Sequence, residues 1–145
     1  CISSKMRYLI IVATVFLFVS CKREGCTDSR AINYSEKAKK NDGSCRYEST
    51  IAFWFDESVS DFYQSFDITE FRFFVEDQLV GSADINDFLV SAPSCGDEGT
   101  ITYTRSLNLS KNAYFDWEIT DQEDDPIQYG EWFAVGNGCV VEKMF

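Results

Sequence analysis

The chain has 145 residues, 13 Lys+Arg against 24 Asp+Glu, a formal charge of −11 and no His. Such a charge repels phosphate and argues against nucleic-acid binding. The lack of His excludes Ser-His-Asp and Cys-His catalysis and removes the commonest zinc ligand.

Lys5-Met6-Arg7 leads into an apolar run, Tyr8 to Val19, closed by Ser20-Cys21 and Lys22-Arg23. The run is shorter than the roughly 20 residues a helix needs to cross a bilayer. A basic flank, a short apolar run and a small residue are the parts of a secretory signal. Residues 1–20 are therefore read as a signal helix, with Met6 as the start. Val19-Ser20-Cys21 resembles the lipobox of bacterial lipoproteins, whose Cys becomes the lipidated first residue of the mature chain. Phe18 stands where the usual box has Leu. The resemblance implies an acyl anchor on Cys21, a membrane as partner through it, and an outer-membrane lipoprotein facing the periplasm or the cell surface. Two or more acyl chains would hold it there, at about 0.8 kcal/mol per buried CH₂.

Residues 22–46 carry seven positive and four negative charges, whereas residues 47–145 carry four and 20. This shift divides the mature chain into an anchor and spacer, 21–48, and an acidic domain, 49–145. In the spacer, Cys26 and Cys45 enclose a stretch whose apolar residues are only Ala31, Ile32, Tyr34 and Ala38. That is too little core to fold alone. A disulfide across the loop, worth roughly 3 kcal/mol, makes it a stapled mini-module of an oxidising compartment. Gly25-Cys26-Thr27-Asp28, Ala31, Asn33-Tyr34, Ala38, Asp42-Gly43-Ser44-Cys45 and Tyr47 resemble a short repeat of secreted and surface proteins of Gram-negative bacteria. The resemblance implies a stalk or spacer, sometimes likened to calcium-binding loops. Asp28, Asn33 and Asp42 are then the candidate calcium ligands, since a hard cation takes several oxygens. The alternative is that these side chains satisfy turn and cap N–H groups. No other cofactor is expected.

From Ser49 onward the pattern is that of strands. Ile51 to Phe55 is one run. Phe71, Phe73 and Val75 alternate with Arg72, Phe74 and Glu76, and a turn at Glu76-Asp77-Gln78 returns through Leu79-Val80-Gly81. Ile101, Tyr103, Arg105 and Leu107 alternate with Thr and Ser. Ala113, Phe115, Trp117 and Ile119 alternate with Tyr114, Asp116, Glu118 and Thr120. Ile127 to Val135 and Cys139-Val140-Val141 follow, joined by Gly136-Asn137-Gly138. Period-two alternation broken by turn clusters predicts an all-β fold, a small antiparallel β-sandwich, with no long helix after residue 20. Ile51-Ala52-Phe53-Trp54, Val80-Gly81, Pro93-Ser94-Cys95-Gly96, Thr100-Ile101-Thr102, Tyr114-Phe115-Asp116-Trp117 and Gly138-Cys139 resemble small bacterial lipoprotein domains. That likeness implies an immunoglobulin- or prealbumin-like sandwich. The four structural Cys allow three pairings; Cys26–Cys45 with Cys95–Cys139 is favoured because each module then keeps its own staple.

Without His, an enzyme would have to use carboxylate pairs such as Asp97-Glu98, Asp116/Glu118 or Glu123-Asp124-Asp125. Nothing marks one of them as buried, so no catalytic residue is assigned. The 23 aromatic residues are the stronger signal. Phe53 and Phe55 point to one side of their strand and Trp54 to the other. Either the segment Asp56–Phe66 covers the second side with Phe62, Tyr63 and Phe66, or those rings are exposed and bind. Trp54, Phe62, Tyr63 and Trp132 are the candidate binding residues; an exposed pair such as Trp54 with Trp132 would support recognition, and full burial of both would count against it. The functional expectation is a non-catalytic recognition module for a glycan or an envelope protein. The alternatives are a structural accessory subunit of an envelope complex and a carboxylate hydrolase.

Overall fold

The computed structural model describes residues 23–145; the signal helix and the lipidation site at Cys21 lie outside them. Nine strands and one helix follow in order: β1 Glu24–Gly25, β2 Lys40–Asn41, β3 Tyr47–Trp54, α1 Glu57–Gln64, β4 Glu70–Val75, β5 Gln78–Asp84, β6 Ile101–Asn108, β7 Asn112–Thr120, β8 Pro126–Val135 and β9 Gly138–Lys143. β1 and β2 form a small parallel pair in the stapled module. The rest is the expected all-β sandwich, with a three-stranded sheet β6-β3-β9 facing a four-stranded sheet β5-β4-β7-β8. All neighbours run antiparallel except β3 and β9, which are parallel. In an immunoglobulin constant domain the first, second, fourth and fifth strands share a sheet. Here the first strand (β3) shares its sheet with the fourth and seventh, so the strand order differs from that of an immunoglobulin constant domain.

The alternation read from sequence is the alternation observed. Phe71, Phe73 and Val75 of β4, and Trp117 and Ile119 of β7, are buried and face Ile51 and Phe53 of β3 and Phe55 just after it. Phe53 meets Phe73 at 5.3 Å between ring centres and Trp117 edge-on at 5.5 Å, the offset geometry aromatic rings prefer. Gly130, opposite Trp117 in the β7–β8 register, leaves room for the indole: a Cβ there would lie 2.5 Å from Trp117 Cζ2. The β4–β5 hairpin closes on Glu76 and Asp77, both with positive φ (50° and 60°). A two-residue hairpin loop with both φ positive matches the twist of its strands but favours Asn-Gly.

The second side of β3 is closed differently from the expectation. Ala52 and Trp54 are buried, yet Phe62 and Phe66 of the following segment are exposed. The cover is the crossover between β5 and β6. Leu89 N–H donates to Phe55 O, and Cys95 is bonded to Cys139, the β9 residue that pairs with Thr50 on that side. The Lys143 ammonium lies 5.4 Å from the centre of the Trp54 ring. Segment 56–66 instead folds as α1 and its C-terminal turn.

The stapled module is not a free spacer. Cys26 and Cys45 form its disulfide, with Cα atoms 4.8 Å apart. Both, with Ala31, belong to the same buried cluster as Tyr47 and the sandwich core. The shortage of apolar residues noted in the sequence is met by docking on a larger core.

Gly130→Ala is expected to destabilise the protein by about 1–3 kcal/mol, through overpacking against Trp117. Urea unfolding of the disulfide-intact protein measures it; an unchanged midpoint would show that the indole can move aside.

Candidate functional site

The sandwich has a module end and an opposite tip. At the module end Asp28 gathers three partners. Arg30 Nη2 lies 3.3 Å and Lys111 Nζ 2.9 Å from its Oδ2, and Tyr47 Oη–H donates to the same oxygen at 2.9 Å. The Arg30 hydrogen bond, then that of Lys111, holds the Asp28 carboxyl far below the ordinary range. Lys111 stands between β6 and β7, so these bonds tie module, β3 and sandwich together.

The tip is built by the far end of β3, by α1, and by the loop between β7 and β8. Asp56 caps α1: its Oδ1 accepts Val59 N–H at 3.2 Å and Ser58 Oγ–H at 2.6 Å. Its other oxygen pairs with Lys143 of β9. On α1, Val59 is buried, and Tyr63 packs edge-on to Phe71 at 5.4 Å. Phe62 and Phe66, one helical turn apart, face outward. They are 56% and 62% exposed and touch edge to face at 5.2 Å. With Tyr63, Ile68, Pro126 and Ile127 they line a shallow depression of about 430 Å³, rimmed by Asp121 and Asp125. Phe145, also exposed, lies beside it; its N–H donates to Gln128 Oε1 at 3.3 Å. Exposed apolar surface that is contiguous, and rimmed by polar groups, marks interaction sites.

No protein-family model, curated protein or solved structure matches the chain.

Of the four aromatic residues proposed from sequence, the tip unites Phe62 and Tyr63. Trp54 and Trp132 are corrected: they are only 8% and 1% exposed and form no solvent-facing pair. Trp54 lies on the side closed by the crossover. Trp132 faces the core and packs on Phe115 at 5.4 Å. Ile68, Pro126 and Ile127 were missed, because they come from two distant segments that only the fold brings together. Phe66 carried a usable signal, its four-residue spacing from Phe62.

Nor are Asp28, Asn33 and Asp42 arranged as the expected calcium loop. Asp28 is already neutralised by two cations. Asn33 clamps the loop, donating from Nδ2 to Ser44 O at 2.7 Å and accepting Arg46 N–H on Oδ1 at 2.8 Å. Asp42 Oδ1 accepts Ser44 N–H at 2.9 Å. Hydrogen bonds from Ser44 hold the Asp42 pKa down. Their oxygens serve turns and docking. Among the described residues no three Cys, Asp or Glu side chains are placed to share a metal ion. Also among them, no helix is long and apolar enough to cross a membrane.

The Asp56–Lys143 pair gives the tip a pH dependence. The Lys143 hydrogen bond, then that of Ser58, lowers the Asp56 pKa from 3.8 to about 2. A carboxyl with a depressed folded-state pKa contributes stability that is complete above its unfolded value. That contribution fades as pH falls from 3.8 through about 2. Asp56→Asn is expected to lower the melting temperature at neutral pH and to flatten its fall across this window. Thermal melts of both proteins from neutral to acid pH test this; parallel curves would show that the pair contributes nothing.

Proposed function

We propose that the chain is a small lipid-anchored envelope protein of a Gram-negative bacterium, held by acyl groups on Cys21. It acts as a non-catalytic recognition module that presents its tip to a protein partner. The observation that carries this reading is the exposed apolar tip, set at the far end of β3 from the module that follows the anchor. Eight residues of strand separate the two ends by about 25 Å. On this reading, an anchor at Cys21 would leave the tip free on the side of the sandwich far from the module. Two disulfides in so short a chain support an oxidising compartment outside the cytoplasm. The non-catalytic reading is supported by the surroundings of five carboxylates. Hydrogen bonds hold Asp28, Asp42, Asp56 and Asp84 down, and the carboxyl that burial pushes up, Glu142, stands at the β9 edge opposite Phe53. A general acid needs a raised carboxyl beside a second one across a cleft.

The same patch supports the second reading, a structural accessory subunit of an envelope complex. A stable apolar tip would then be covered permanently by a stoichiometric partner.

Protein extracted from its own membranes is expected to begin at Cys21, carry acyl groups, and gain about 4 Da on reduction of two disulfides. A photo-crosslinking residue at position 62 in that protein should give one defined adduct, which Phe66→Asp abolishes without changing the melting temperature. An unacylated chain that retains residues 6–20 would overturn the anchor. Equal crosslinking from position 62 and from a module site such as Lys37 would overturn the tip.

A further inference from the structure

A second surface, away from the tip, carries a different chemistry. The outer face of the four-stranded sheet is uncovered, and its outward side chains form rows across the strands. Leu79, Phe74, Glu118 and Tyr129 make one row, Asp116 and Glu131 the next, and Tyr114 and Phe133 a third. Tyr129, Tyr114 and Leu79 are 82%, 62% and 53% exposed. The rings of Tyr114 and Phe133 lie 4.7 Å apart. An acidic row thus runs between two aromatic ones. The β4–β5 turn adds Glu76 and Asp77 at its edge, and Glu76 Oε1 accepts Asp116 N–H at 3.0 Å. An open groove of about 480 Å³ follows this line, bounded by Phe74, Glu76, Asp77, Asp116, Glu118 and Tyr129.

Like charges placed directly opposite, as Asp116 and Glu131 are, destabilise a sheet. Among the described residues no cation pairs with Glu76, Asp77, Asp116, Glu118 or Glu131. The Arg on this sheet, Arg72, is taken by Glu70 and Asp124. The protein therefore maintains an unneutralised acidic row between exposed rings.

We propose that this face docks an extended basic segment of a protein partner. Lys or Arg stems would lie along Tyr129, Phe74 and Tyr114, where long charged side chains cover apolar surface and meet ring faces. Their charged heads would end in the acidic row, which steers a cationic partner and selects against an anionic one. A single metal ion does not fit, since no three carboxylates converge. The sandwich of a second copy does not fit either, because residues 47–145 carry four positive charges against 20 negative.

The test uses the disulfide-intact protein and a labelled, alternating Lys-Leu peptide of about twelve residues, long enough to span the face when extended. Fluorescence anisotropy should show binding that weakens at least about tenfold between about 50 and 500 mM salt. Asp116→Asn with Glu118→Gln, or Tyr129→Ala alone, should each weaken it about tenfold. A Glu-Leu peptide should not bind, and Phe62→Ala with Phe66→Ala should leave binding unchanged, which separates this face from the tip. The proposal is overturned if the Lys-Leu peptide fails to bind. It is equally overturned if Glu57→Gln with Asp61→Asn on α1 weakens binding as much as the groove variants do. Salt-sensitive self-association in sedimentation that the groove variants abolish and the peptide does not compete would assign the face to a second copy instead.

Discussion

Burial of β3 on both sides is the constraint on which the rest of this protein depends. Ile51, Phe53 and Phe55 fill the space between the sheets, while Ala52 and Trp54 are buried on the other side. The strand is flanked by β6 and β9, so its backbone is paired along both edges. Its start holds Tyr47, whose hydroxyl reaches Asp28 of the stapled module. Its end leads into Asp56, which caps α1 and binds Lys143 of the neighbouring strand. Module, core and tip are thus positioned by one segment of chain.

Charge is segregated along the same axis. Residues 22–46 are basic and the sandwich after them is acidic, so an anionic surface would attract the first and repel the second. Docking the module through Asp28, Arg30 and Lys111 consumes part of this charge. The acids of the outer sheet face remain unpaired. Apolar tip and acidic lateral face are therefore distinct chemical surfaces on one scaffold, the tip about a strand's length from the module and the lateral face running from the module end toward it.

Local pattern made much of this legible. In β4, β6 and β7 the inward residues recur with period two as read from sequence, with Phe74 outward, Arg105 inward and the buried Thr120 departing from the apolar-in, polar-out rule. β8 defeated the same reading because both its sides carry rings: Trp132 and Ala134 go inward, Tyr129 and Phe133 outward. Nothing local distinguishes them until pairing with Phe115 and Tyr114 sets the register. Trp54 was correctly placed on the side opposite Phe53, but its cover comes from a crossover more than thirty residues later, fixed by Cys95–Cys139. The parallel pairing of β9 with β3 is likewise a long-range choice. α1 was missed although Asp56 offered an N-cap and Val59 and Tyr63 share a helical face; at eight residues it is too short to show a period. Of the partners of Asp28, Arg30 is local and Tyr47 belongs to the same motif, whereas Lys111 lies more than eighty residues later and is supplied by the fold alone.

The central claim, that module and sandwich form one body organised on β3, is tested most directly by native-state hydrogen exchange. The informative amides are those bonded within the module, Ile32 to Arg46 O and Ser35 to Cys26 O, and those of Ile51 to Trp54. The account predicts that both groups exchange slowly and open together, with Lys111→Ala accelerating the module amides. Module amides that exchange at the rate of an open loop while β3 stays protected would contradict it.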